Sequence, residues 1–121
     1  MLNNFYNYKI IEISDEKLVA NITLNKDHKV YKGHFPEMPV TPGVCQIQML
    51  KEILSIELNK KLNLISAKDI KFLNMINPTE TNELYLEIKL SILENNDIKV
   101  NGLMSAEGKK FLKIRAVFAE C

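Results

Sequence analysis

At 121 residues and a formal net charge of +1, the chain is sized for a single domain over 1–121 with its own core, and small enough for a second copy to add stability. Lys and Arg nearly balance Asp and Glu (16 against 15), and no dense basic block interleaved with aromatics appears, so a nucleic-acid binder is not expected. Cys45 and Cys121 differ too much in setting for a disulfide framework or a metal site, and Met1 to Tyr8 shows neither a signal peptide's basic start nor an apolar span, so a cytoplasmic protein with no membrane span is expected.

Two alternating segments, Phe5–Ile13 and Lys17–Leu24, flank the short polar Ser14-Asp15-Glu16. This pattern predicts a strand hairpin. His28 follows in a stretch read as loop or strand end. The run His34-Phe35-Pro36-Glu37-Met38-Pro39-Val40-Thr41-Pro42-Gly43-Val44 comes next. Each proline fixes φ and pushes the preceding residue into an extended conformation, so His34 is expected on a stiff strap that can aim its imidazole. Pro42 suits the first turn of a helix, which leaves the N–H groups of Gly43 and Val44 unpaired at the positive end of the helix dipole. There they can hold a carbonyl oxygen as negative charge develops on it.

From Pro42 to about Asn59 the chain is rich in helix formers, with Val44, Ile47, Leu50, Ile53, Leu54 and Leu58 as its apolar surface. Gln48, Glu52, Ser55 and Asn59 form a polar stripe at helical spacing, which on amphipathicity alone is the less buried side. Cys45 reads as a small core residue rather than a nucleophile. From Leu64 onward the apolar period becomes two, through Leu84–Ile92, Ile98–Ala106 and Phe111–Ala119, with turn-type connectors at Glu94-Asn95-Asn96-Asp97 and Glu107-Gly108-Lys109. Two strands, one helix and four strands make an α+β fold, a six-stranded antiparallel sheet wrapped around one long helix. Such a sheet leaves an exposed edge, which pairing with a second copy would close, so a homodimer is expected.

Gly33-His34-Phe35-Pro36, Pro39 and Pro42-Gly43-Val44, with Asp69-Ile70-Lys71-Phe72 and Pro78 further on, resemble the signature of the 3-hydroxyacyl-acyl-carrier-protein dehydratases of the hot-dog fold. The likeness in element order covers essentially the whole chain. The resemblance implies a lyase of fatty-acid, lipid or polyene biosynthesis that dehydrates a 3-hydroxyacyl thioester carried on an acyl carrier protein or coenzyme A. No metal or redox cofactor is implied, since the substrate brings its own phosphopantetheine. By position, His34 would be the base that takes the C2 proton, the Gly43 amide with Val44 would polarise the thioester carbonyl, and Phe35 and Pro36 would flank the substrate.

The acid that resemblance places on the partner subunit's helix falls on Gln48, whose amide has no proton to give in the working pH range. One turn further stands Glu52, where the family commonly has a glutamine, so the two residue types look exchanged and Glu52 becomes the candidate acid. Glu37 also replaces a usual glycine. Lys32, Lys51, Lys60, Lys61, Lys68, Lys71 and Arg115 are a candidate basic rim for an acidic carrier protein. Two other readings share this layout: a non-catalytic subunit in a hetero-oligomer with a second hot-dog chain that supplies the acid, and an acyl thioesterase.

Overall fold

The computed structural model describes residues 3–32 and 39–121. Strands β1 (Tyr6–Ile13) and β2 (Lys17–Leu24) form the expected hairpin, helix α1 runs Gly43–Leu58, and β3 (Leu62–Phe72), β4 (Glu83–Ile92), β5 (Ile98–Ala106) and β6 (Lys109–Glu120) follow. All strand pairs are antiparallel, in the order β1-β2-β4-β5-β6-β3. The chain therefore leaves β2, passes through α1 to lay β3 along the far edge, and returns to pair β4 with β2. This is the expected hot-dog architecture, one six-stranded sheet with one helix against it.

Alternation decides the inward face of the central strands. Leu84, Leu86, Ile88 and Leu90 of β4 are buried, as are Ile98, Val100 and Met104 of β5, while intervening residues such as Tyr85, Lys89 and Lys99 face outward. Met49, Leu50, Ile53 and Leu54 of α1 are fully buried in the same cluster. The buried helix face differs in part from the expected one. Val44 is 75% exposed, whereas Cys45 and Gln46 are buried, because the residues beneath the sheet follow the rows 45-49-53 and 46-50-54 and Val44 sits off both at the uncovered helix start. Pro42 is the N-cap, with φ −59° and ψ 146°, rather than a first-turn residue. A short 3-10 turn, Lys29–Tyr31, was not expected; His28 caps it by accepting the Val30 N–H at 3.1 Å, which keeps His28 in the loop role read from the sequence.

Gly102 sets how closely α1 approaches the sheet. A Cβ there would lie 2.8 Å from Leu50 Cδ1 and 2.9 Å from Ile114 Cγ2. Gly102→Ala is therefore expected to destabilise the protein by about 1–3 kcal/mol through overpacking. Urea unfolding reads this as a lower midpoint at unchanged slope; an unchanged or higher midpoint would show that the helix stands off from β5.

β3 differs from the central strands. It pairs only with β6 among the described strands, and its register shifts at Leu64/Ser66 and again at Ala67/Asp69. Most of its residues are exposed, among them Ile65 at 53% and Phe72 at 50%. Asn59 in the left-handed conformation ends α1 (φ 54°), so only Lys60 and Lys61 separate the helix cap from this edge. Among the described residues no helix is long and apolar enough to cross a membrane.

Candidate active site

The start of α1 is anchored from three sides. Thr41 N–H donates to the Ile76 carbonyl (2.8 Å), its hydroxyl meets the Tyr31 hydroxyl at 2.9 Å in a buried contact, and its carbonyl accepts the Gln46 amide at 3.3 Å. The Pro42 carbonyl accepts the N–H groups of Cys45 and Gln46 (3.0 and 3.2 Å). The N–H groups of Gly43 and Val44 have no acceptor among the described residues, as expected for the first two helical positions. They open beside a cavity of about 380 Å³ whose walls include Val40, Pro42, Ile47, Phe72 and Met75. The Phe72 ring lies over Gly43, so that a Cβ at position 43 would sit 2.6 Å from its Cζ. His34, Phe35, Pro36 and Glu37 lie outside the described residues.

Further along the helix, Gln48 and Glu52 come together as a pair. Gln48 Nε2 donates to Glu52 Oε2 at 2.9 Å, and the Tyr6 hydroxyl, brought over the helix by β1, donates to Glu52 Oε1 at 2.9 Å. Glu52 is 7% exposed, so it is not on a solvated helix side. With Gln48, Ser55 and Asn59 it walls a second cavity of about 550 Å³, near Lys51, Lys60 and Lys61. The polar stripe of the sequence is thus one wall of this 550 Å³ cavity.

Tyr8 repeats the motif one strand repeat later, donating to Glu57 at 2.8 Å, with its ring stacked on Tyr6 at 6.3 Å. Burial, then the hydrogen bond it donates to Glu57, pushes the Tyr8 phenol up to about 12. Burial followed by the Glu52 contact pushes Tyr6 higher still, so both phenols stay protonated donors at neutral pH. Burial also pushes the Cys45 thiol up, which suits a core cysteine.

Gly43 and Glu52 are nine residues apart, about 13.5 Å along the axis and half a turn round it. Their two cavities share no lining residue. Within one chain, therefore, the Gly43 and Val44 amides and the Glu52 carboxyl face different spaces. The expected basic rim also divides: Lys51, Lys60 and Lys61 line the Glu52 cavity, whereas Lys68, Lys71 and Arg115 line grooves elsewhere on the sheet, with Arg115 paired to Asp69. The sequence reading missed Tyr6. Its signal was the run Tyr6, Tyr8, Ile10 at alternate positions of β1, since an inward tyrosine hydroxyl needs a partner on the element it covers.

The sequence profile of the ApeI-like dehydratases matches residues 10–111. The 3-hydroxyacyl-[acyl-carrier-protein] dehydratase FabZ of Ruminiclostridium cellulolyticum is 33% identical over 121 aligned residues, covering 89% of this chain and 85% of that protein. The dehydratase of the same name from Halalkalibacterium halodurans is 31% identical, covering 92% of this chain and 84% of its own length. Among solved structures, the dehydratase heterocomplex ApeI:P from Xenorhabdus doucetiae superposes with a TM-score of 0.72 at 18% identity, covering 94% of this chain and 99% of the other.

Proposed function

The chain belongs to the ApeI-like dehydratases, and from that premise we propose that it removes water from a 3-hydroxyacyl thioester, presented by an acyl carrier protein, to give the trans-2-enoyl thioester. The observation that carries the residue assignment is Glu52, a buried carboxyl held on a cavity wall by two donors. His34 takes the C2 proton, the C2–H electrons become the C2=C3 bond, and the C3–O bond breaks. The departing oxygen takes its proton from the Glu52 carboxyl and leaves as water. The Gly43 and Val44 amides hold the carbonyl oxygen while charge accumulates there; one such donor is worth about 3 kcal/mol. The elimination consumes no electrons, so a base, an oxyanion site and an acid suffice without a cofactor.

Gln48 fits this scheme as a partner of the acid. Its amide offers an N–H to the carboxylate and, turned over, a carbonyl oxygen to the protonated acid, so one side chain serves both states of Glu52.

The site is completed by a second copy. Two chains joined along β3 would bring the Gly43 end of one against the Gln48–Glu52 wall of the other, a reading that the separate cavities of a lone chain support. The unpaired β3 edge and the exposed apolar Ile56, Ile65 and Met75 support this arrangement.

Mass spectrometry of a 3-hydroxyacyl carrier protein incubated with the protein tests the activity. Loss of one water is expected, and His34→Ala should abolish it. An unchanged acyl mass across short and medium chains would overturn the assignment.

A further inference from the structure

Tyr6 and Tyr8 stand on the same face of β1, with their rings stacked and each hydroxyl donating to a glutamate of α1. As strand-to-helix ties the two are equivalent. They differ in what they hold: Glu52 walls the 550 Å³ cavity, and Glu57 does not. Gln48 fixes one oxygen of Glu52 and Tyr6 the other, so Tyr6 from the sheet and Gln48 from the helix together set the plane of the carboxyl.

We propose that Tyr6 is a positioning residue for the dehydration, acting through Glu52 by fixing its rotamer and the direction of its carboxyl in the cavity. This rests on the reading of Glu52 as the acid. A glutamate side chain has three rotatable bonds, and delivering a proton to a departing hydroxyl requires it within about 2.6–3.2 Å of that oxygen. An anchor from the first strand removes the alternatives before substrate arrives, which lowers the ordering that the reaction would otherwise demand. Tyr6 is not itself the proton source. Its phenol, raised by burial and by the carboxylate beside it, is too weak an acid to end a turnover as tyrosinate, so it stays a constant donor.

The test compares Tyr6→Phe, Tyr8→Phe and Glu52→Gln, alone and with Tyr6→Phe and Glu52→Gln combined, by steady-state dehydration kinetics and thermal melting. Tyr6→Phe keeps the ring and is expected to lower kcat roughly 10- to 100-fold, the range for one hydrogen bond to a charged group, with KM within about twofold of the wild type. Tyr8→Phe is expected to lower the melting temperature comparably and leave kcat unchanged. Added to Glu52→Gln, Tyr6→Phe should cost nothing further, since its effect passes through the carboxyl. Equal kcat losses in Tyr6→Phe and Tyr8→Phe would reduce Tyr6 to a structural tie and overturn the proposal. So would an unimpaired Tyr6→Phe beside an impaired Glu52→Gln, and in that case the dehydratase reading stands. A wild-type protein that removes no water overturns that reading itself, and the role of Tyr6 with it.

Discussion

Glu52→Gln is expected to lower kcat for dehydration by about 10²- to 10⁴-fold, the usual contribution of a general acid. The substitution preserves size and keeps an oxygen for the Tyr6 hydroxyl, so the contacts at 2.9 Å are replaced by amide counterparts and the fold should persist. What is lost is a proton that can be given up. Hydroxide is a poor leaving group, and without an acid the C3–O bond must break with the charge uncompensated. Product formation followed by enoyl absorbance, beside a melting curve within a few degrees of the wild type, separates lost chemistry from lost structure. A companion variant sharpens the result. Exchanging the pair, Gln48→Glu with Glu52→Gln, returns the acid to the position implied by the resemblance and is expected to recover activity over Glu52→Gln alone. If Glu52→Gln turns over within threefold of the wild type, Glu52 is not the acid.

The second large effect concerns assembly. A heterodimer of one Glu52→Gln chain and one His34→Ala chain should show about half the wild-type rate, because closed two-fold pairing gives two equivalent sites of which one is intact. Either variant alone should fall at least about 100-fold below the wild type. The arithmetic follows from the proposed two-chain site: the amides of Gly43 and Val44 and the carboxyl of Glu52 line cavities with no residue in common, and in that arrangement each working site takes its base end from one chain and its acid from the other. In the mixed dimer one site receives both an intact His34 and an intact Glu52, and the other receives both lesions. Were each site built within one chain, every site would carry one lesion and the mixture would stay dead. Two differently tagged chains, co-expressed and purified through both tags, decide between these outcomes.

The hairpin β1–β2, the helix and the strands β4 to β6 were legible because each buries one face, and period two or 3.6 follows from that. β3 was less so. As an edge strand with two register shifts, it lacks the one-sided burial that writes alternation into a sequence, and its true start at Leu62 came before the expected Leu64. Val44 was misassigned because apolar character alone does not say where the sheet ends and the uncovered helix start begins. At the site, the Gln48–Glu52 pairing could be read because it is local, four residues along one helix. The contact from Tyr6 to Glu52 spans 46 residues, and the burial of Glu52 depends on β1 lying over it. The alternation of Tyr6 and Tyr8 marks an inward phenol, but no local pattern says which helix residue it meets.

The ring of Phe72 over Gly43 bears on how this sequence motif is used as a marker. With a would-be Cβ only 2.6 Å from Phe72 Cζ, glycine at position 43 lets the half-exposed ring of Phe72 lie against the helix start whether or not any carbonyl is ever bound. A descendant that lost its acid and its base would still be under pressure to keep that glycine for as long as it kept the ring. The helix-opening glycine is therefore not by itself a marker of enzymatic competence. On the assignment proposed above, what marks competence in this chain is the carboxyl at position 52 together with the phenol that reaches it from the first strand.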